Sequence, residues 1–194
     1  MSIANYADLQ TSVAAWLHRS DLTTIIPDLI TLAEAKLNRI LRIRAMENTT
    51  TGSIAASVSL PTGFVEMISL TATGNGKTWP LQYRSPSSLS GETAGTPAYY
   101  SLVGDSIYFD PGTSGYTYSI TYYKKFDALS GGVNWLITNA PDAYLYATLC
   151  EAAPYIKDDA RLPVWEKNLS DSISNLMLAD NGDRYGSALA VRLG

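Results

Sequence analysis

The chain has few of the residues that build metal, disulfide and nucleophile sites. Its 194 residues include one cysteine, Cys150, and one histidine, His18. A disulfide framework, a Cys/His zinc site or a redox CxxC pair each needs at least two such residues. A serine triad would have to use His18, and no GxSxG elbow, P-loop, dinucleotide fingerprint or calcium loop occurs. We therefore expect a protein that is not an enzyme and that holds no metal or cofactor.

Long apolar runs and charged residues are also scarce. No stretch approaches the roughly 20 apolar residues of a membrane span, and the N-terminus has neither a basic region nor an apolar signal core. We expect a soluble protein that is made in a cytoplasm and does not bind a membrane. Only 16% of the residues are charged, and the net charge is -4. A protein that neutralises many DNA phosphates would carry a cationic segment, and this chain has only a local cluster in one predicted helix.

What is present is a 46% hydrophobic chain whose apolar periodicity changes twice, from helix to strand and back. Helical spacing predicts a first helix from about Asn5 to His18, with Asn5 and Asp8 as its cap. A second helix is predicted from near Pro27 until about Glu47. Its last turns carry three basic residues at the negative end of the helix dipole. These are Arg39, Arg42 and Arg44.

Turn signals recur every 8 to 15 residues between Thr49 and Trp135, which is typical of an antiparallel β region. Asn75-Gly76 and Gly104-Asp105 predict two hairpins. In the run 116–123, tyrosines and an isoleucine alternate with Thr117, Ser119 and Thr121, which predicts a half-buried strand. The polar segment 84–97 is expected to be a mobile loop.

Helical spacing returns at Pro141 and predicts a third helix that Pro154 kinks or shortens. A fourth helix is predicted after Asp158-Asp159, and Gly182 is expected to end it. Residues 183–194 are too apolar for a solvated end, and we expect them to form a docking tail. The apolar and aromatic residues of that tail are Tyr185, Leu189, Val191 and Leu193.

Two helices on either side of a β region predict an α+β fold in which a four-helix bundle carries an inserted antiparallel β lobe. The predicted bundle comprises residues 1–48 and 136–182, the insertion is 49–135, and the docking tail is 183–194.

Two features leave functional alternatives open. Thirteen tyrosines, with Trp79 and Trp135, are more typical of core and interface residues, and a sugar-stacking platform is the alternative. Free carboxylates such as Glu34 and Glu151 are expected on helix surfaces, and paired acids for glycoside cleavage are the alternative. The second functional hypothesis is therefore a glycan-binding or glycan-cleaving module that uses the tyrosine-rich β face.

Several segments resemble the head-to-tail adaptor proteins of short-tailed phages. The resemblance is carried by fixed spacings of charged residues and prolines at both helical ends and by Pro-Gly and aromatic motifs between them. The N-terminal segments are Trp16–Leu22, Ile26–Arg39 and Leu41–Arg44. The central segments are Ser59–Phe64, Gly95–Pro97, Tyr99–Tyr100 and Ile107–Pro111. The C-terminal segments are Asn134–Leu136, Pro141–Ala147, Glu151–Tyr155 and Trp165.

The resemblance implies a structural virion protein in the neck of the particle, assembled in the host cytoplasm. It implies a ring of twelve copies, monomeric when free, that joins the portal protein to the tail nozzle protein around a channel for DNA. On this hypothesis Tyr185, Val191, Arg192 and Leu193 dock on the portal or on a neighbouring subunit. Arg39, Arg42 and Arg44 are expected to face a neighbour or the lumen. Lightly charged, tyrosine-rich surface suits such assembly, and balanced charge suits DNA that must slide.

Overall fold

The computed structural model describes residues 3–19, 21–156 and 160–185, with side chains described up to residue 182. The chain divides into two compact units. The helical unit is formed by the described residues of Met1–Ala45 and Phe126–Gly194, and the β unit is Met46–Lys125.

The helical unit contains five α-helices among its described residues. They are α1 (Tyr6–Leu17), α2 (Ile26–Ile40), α3 (Trp135–Asn139), α4 (Pro141–Ile156) and α5 (Leu162–Tyr185). The α4 helix is the centre of the unit, because it packs against the other four. Its alanines at 143, 147 and 152 are fully buried, which lets neighbouring helices approach closely.

Local chemistry explains where several helices begin. The Asn5 side chain accepts a hydrogen bond from the Asp8 backbone N–H at 3.0 Å, which caps α1. Pro27 occupies the first turn of α2, where its missing N–H costs nothing. The Asn134 side chain accepts from the Ile137 N–H at 3.0 Å and starts α3.

The β unit contains eight strands in two sheets. They are β1 (Glu47–Ser53), β2 (Ser57–Ser59), β3 (Phe64–Gly74), β4 (Lys77–Pro80), β5 (Gln82–Tyr83), β6 (Tyr99–Val103), β7 (Ser106–Asp110) and β8 (Thr117–Lys124). The first sheet has the order β1-β8-β3-β4, and the second has the order β2-β7-β6-β5. Neighbouring strands are antiparallel except β5 and β6, which are parallel.

One apolar core joins the two sheets. Residues from both inner faces form a single buried cluster, which includes Leu70, Ile120 and Tyr122 from the first sheet and Ile107 and Phe109 from the second. The chain passes between the sheets at Leu81, whose N–H still donates to Leu70 O at 2.9 Å before β5 pairs with β6. The β unit is therefore a two-sheet sandwich with its own core.

The predicted four-helix bundle with an inserted antiparallel β lobe is wrong. The described residues contain five α-helices, and the insertion is two four-stranded sheets, one of them mixed. The five-residue helix α3 is too short for a sequence pattern with a period of 3.6 residues to reveal it. Turn signals mark where strands end but do not tell which sheet each strand joins, so the sandwich and its parallel pair were missed.

Two helix ends also differ from their predictions. The α2 helix ends at Ile40 rather than near Glu47, because Leu41 takes an extended conformation. The α5 helix continues through Gly182 to Tyr185. A glycine ends a helix only when its conformation or capping requires it, and inside a helix it costs only about 1 kcal/mol relative to alanine.

Candidate interaction surfaces

The three arginines predicted to face a neighbour or the lumen lie around the C-terminal end of α2. Arg39 is exposed on the last turn, Arg42 is half-buried just beyond it, and Arg44 is exposed two residues later. Their positions therefore differ in accessibility, although they lie within six residues of sequence.

Arg42 holds the end of α2. Its Nη1 donates to the backbone oxygens of Asn38 and Arg39, each at 3.3 Å, and of Leu41 at 2.6 Å. The last carbonyls of a helix have no partner within the helix, so a cation that binds them also meets the negative end of the helix dipole. This geometry gives Arg42 a structural role in the folded chain.

Arg44 lies at the rim of a groove that we call the aromatic groove, lined by Ile43, Arg44, Ala45, Trp135, Leu176, Ala179 and Asp180. The Trp135 side chain is 41% exposed, and its ring stacks on that of Phe126 at a centroid distance of 6.1 Å. The Asp180 carboxylate accepts a hydrogen bond from the Arg44 backbone N–H at 2.8 Å. An exposed indole beside aliphatic side chains is the kind of surface at which protein partners bind.

A second groove, the Cys150 groove, lies between α2, α4 and α5. Its lining residues are Lys36, Ile40, Cys150, Glu166, Leu169, Ser170, Ile173 and Ser174. Lys36 forms an ion pair with Glu151 at 3.1 Å. Burial raises the pKa of the Cys150 thiol, and nearby Lys36 partly offsets this effect. The Cys150 side chain is therefore a half-buried part of the groove lining and not an activated nucleophile.

Polar side chains of α2 fasten the segment that returns from the β unit. Asn38 accepts a hydrogen bond from the Phe126 N–H at 2.9 Å, and Glu34 accepts one from the Leu129 N–H at 2.7 Å. The hydroxyl of Tyr144 donates to Glu34 at 3.2 Å and accepts from Asn134 at 2.7 Å. Glu34, which was expected on a helix surface, is partly exposed and also accepts hydrogen bonds from within the helical unit.

The tyrosine-rich face of β8 lies in the core of the sandwich. Tyr118 and Tyr122 are 7% and 3% exposed, and Ile120 between them is fully buried. The opposite face of the same strand carries Thr117, Ser119 and Thr121. The alternation of this strand was read correctly from the sequence, but its aromatic side supplies packing and not a surface for sugar rings.

The polar segment 84–97 is fastened to the sandwich by Asp110, which is only 2% exposed. Its carboxylate accepts hydrogen bonds from the N–H and the hydroxyl of Ser90. Burial by itself raises the pKa of Asp110, but the Ser90 hydrogen bonds and the charge of Arg84 outweigh it, so the pKa lies below its usual value. Sequence reasoning missed this anchor, because nothing in a Ser-rich run tells which serine meets a distant acid.

Two further observations bear on the candidate surfaces. Val191, Arg192 and Leu193 of the predicted docking tail lie outside the described residues, as does the side chain of Tyr185.

Among the helices that the structure describes, none combines the length and the apolar character that a bilayer crossing requires.

Comparison with known families decides the class of the protein. The family model described as SU10 adaptor protein matches residues 4–192. The chain belongs to the SU10 adaptor protein family. No curated protein matches the chain. The predicted membership of a phage head-to-tail adaptor family is confirmed.

Membership gives the adaptor a structural role. The family is a phage adaptor family of structural proteins, and its members are virion components that associate with others at the head-tail junction. The surfaces described above are therefore candidate protein contacts rather than candidate catalytic sites.

Proposed function

We propose that the adaptor assembles as a ring, in twelve copies, between the portal protein and the tail nozzle protein, and that DNA passes through the ring. The observation that carries this proposal is the family match over residues 4–192. The adaptor is monomeric when free at low concentration and assembles on the portal in the host cytoplasm. DNA passes without sequence-specific binding, which accords with a net charge of -4 and no cationic segment.

Within this proposal the helical residues 1–48 and 136–182 engage the portal and neighbouring subunits, and the insertion 49–135 faces the nozzle. Exposed apolar side chains of the helical unit support the first part. They include Trp16, Leu32, Tyr155, Val164 and Leu178. Contact with a partner would remove the apolar surface of these side chains from water.

The docking tail 183–194 supplies the contact with the portal or a neighbour through Tyr185, Val191, Arg192 and Leu193. Among the arginines, Arg39 and Arg44 are the stronger candidates for a neighbour or the lumen, because both are exposed. Arg42 remains in the set, but its hydrogen bonds to the end of α2 occupy part of its donor capacity.

Light scattering of the adaptor mixed with purified portal tests the ring. The expected result is a complex whose mass exceeds that of the portal assembly alone by the mass of twelve adaptor copies. Absence of any complex at high adaptor concentration would overturn the proposal. A monomeric adaptor in the absence of portal agrees with it.

Charge substitutions in the tail test the docking residues. Val191→Asp with Leu193→Asp places carboxylates at the apolar tail positions and should abolish portal binding. Ala188→Asp with Ala190→Asp is the matched control, because it adds the same charge at the small alternate positions and should bind more tightly than the first variant. Equal binding by both variants would exclude the tail assignment while leaving the ring proposal intact.

A further inference from the structure

The β1 strand forms an open edge of the first sheet. Seven residues, Glu47–Ser53, pair without interruption with β8, and β1 is the last strand in the sheet order. Among the described residues no strand lies on its other side. Its side chains at Thr49, Thr51 and Ser53 are exposed.

The hydrogen-bond pattern shows which residues present their backbone at that edge. The Ile54 N–H donates to Tyr116 O at 2.9 Å, and this pair continues the β1–β8 register. In an antiparallel ladder, alternate residues face the partner strand, so Thr50 and Gly52 face β8 as Ile54 does. The backbone N–H and C=O groups of Thr49, Thr51 and Ser53 therefore point outward.

Apart from the charge of Glu47 at its first residue, the β1 strand lacks the sequence features by which natural sheets prevent edge pairing. Residues 47–53 contain no proline, lysine or arginine, and the register shifts of the sheet lie in the β3–β8 pair instead. The opposite edge, β4, is different. It has four residues and begins with Lys77. By the same alternation its outward-facing residues are Thr78 and Pro80, and Pro80 has no N–H to donate.

The second sheet offers no better complement. Its edge strands, β2 and β5, have three and two residues. Among the strands that the structure describes, the one best suited to pair with β1 is therefore the β1 strand of a second copy of the chain.

We propose that two copies of the adaptor pair through β1, antiparallel, about a two-fold axis at Thr50. Full overlap of the seven residues places Thr49 opposite Thr51 of the partner subunit and Glu47 opposite Ser53 of the partner subunit. All outward-facing residues then meet outward-facing residues, and no like charges are opposed. The outer surface beside the joint is also uncharged, because Thr49, Thr51 and Ser53 neighbour Thr121, Ser119 and Thr117.

This pairing is weak and reversible. One pair of strands covers much less than the roughly 1,200 Å² that specific stable interfaces bury, so the dimer should form only at high protein concentration. It is also independent of the proposed ring, because a closed two-fold contact uses one surface twice, whereas a ring joins two different surfaces. Failure of one proposal leaves the other untouched.

Hydrogen exchange of the full-length adaptor, measured over a concentration series with sedimentation velocity, tests the pairing. As concentration rises, the sedimentation coefficient should shift from monomer toward dimer, and the amides of Thr49, Thr51 and Ser53 should slow together. The amides of Thr50 and Gly52 are the internal control and should be slow at every concentration. Exchange at Thr49, Thr51 and Ser53 that does not depend on concentration would overturn the proposal.

Proline substitutions in two different edge strands test whether the dimer forms through β1. Thr51→Pro removes an outward-facing donor and should abolish the dimer, whereas Thr78→Pro makes the same change at the outward-facing edge of β4 and should leave the dimer unchanged. Equal effects of the two variants would contradict the assignment to β1.

A charge exchange tests the register without proline. Thr49→Asp with Thr51→Asp should be monomeric, because two carboxylates then oppose two others. Thr49→Lys with Thr51→Lys should be monomeric for the corresponding reason. Mixing the two variants should restore the dimer, and a mixture that stays monomeric would exclude the two-fold register.

Discussion

Asp110 is a buried carboxylate whose hydrogen bonds to Ser90 fasten a long polar segment to the sandwich. Its pKa lies below the usual value of about 3.9, so the folded state holds the proton more weakly than the unfolded chain does. The stabilisation is therefore fully present above about pH 4 and is lost as the pH falls through the lower folded pKa. We predict that Asp110→Asn lowers the unfolding free energy by ~1–3 kcal/mol at pH 7.

Thermal unfolding followed by circular dichroism between pH 2 and pH 7 checks this prediction. The Asp110→Asn variant should lose less stability than the unmodified protein as the pH falls below about 4. Asp105→Asn is the matched control, because Asp105 is an exposed turn residue. An acid dependence that Asp110→Asn leaves unchanged would show that other carboxylates determine it.

Tyr144 is a second buried polar side chain, and its contribution to stability depends on its hydrogen-bond partners. Burial raises its pKa far above the usual value, so the phenol stays neutral and donates to Glu34 at 3.2 Å. We predict that Tyr144→Phe destabilises the protein by ~1–2 kcal/mol, because the hydroxyl's hydrogen bonds with Glu34 and Asn134 are both lost. Urea unfolding measures the change, and Tyr146→Phe on the same helix should change stability by less than ~0.5 kcal/mol. Equal effects would contradict a specific role for the hydrogen bonds of the Tyr144 hydroxyl.

At the residue scale, short-range chemistry was predictable and long-range pairing was not. The Asn5 cap follows from a spacing of three residues, and the structure contains it. The contacts of Glu34 with Leu129 and of Asp110 with Ser90 join residues that only the folded chain brings together. The predicted roles of Arg39, Arg42 and Arg44 concern contacts with other molecules, so they stay predictions.

At the scale of elements, the end of α2 depends on Arg42. We predict that Arg42→Ala destabilises the protein by ~1–2 kcal/mol, because the last carbonyls of the helix lose a charged donor. Arg39→Ala should change stability by less than ~0.5 kcal/mol, since Arg39 is exposed. Urea unfolding of both variants makes the comparison. Equal losses would show that net charge matters rather than the hydrogen bonds of Arg42.

The early end of α2 was visible in the sequence after all. Leu41 and Ile43 are fully buried, while Arg42 and Arg44 between and after them are not. A period of two over four residues indicates extended chain, whereas the three arginines, read as basic residues at the negative end of the helix dipole, favoured a longer helix. The burial of two large aliphatic side chains outweighed the helix propensity of leucine and arginine, which is only a weak determinant of structure.

The β1 strand requires a residue without a Cβ atom at position 52. A Cβ atom at this position would lie 2.7 Å from the ring of Tyr118. We predict that Gly52→Ala destabilises the sandwich by ~1–3 kcal/mol, because a buried ring must move. Gly131→Ala is the control, since a Cβ there meets no atom within 4 Å. Thermal unfolding of both variants tests this, and an unchanged midpoint for Gly52→Ala would show that Tyr118 repacks without cost.

At the scale of the whole molecule, the sequence predicted element types better than architecture. The hairpins at Asn75-Gly76 and Gly104-Asp105 join β3 to β4 and β6 to β7 as expected. The division into two sheets arises from four connections at which the chain changes sheet, from β1 to β2, from β2 to β3, from β4 to β5 and from β7 to β8. Turn signals do not distinguish these connections from hairpins, because sheet membership depends on which distant strand each segment pairs with.

The β unit should fold without the rest of the chain. Its first and last strands are neighbours, with Glu47 opposite Tyr123. The two ends of the β unit therefore lie on adjacent strands, and a fragment that contains only this unit needs no added linker. It also has its own core between two sheets, which distinguishes it from a hairpin that needs support. We predict that residues 46–125 alone give a β-type circular dichroism spectrum and unfold cooperatively in urea. The same fragment with Ile120→Asp should not fold, because Ile120 is fully buried in that core. Similar spectra for both fragments, without a cooperative transition in either, would show that the sandwich depends on the helical unit for its stability.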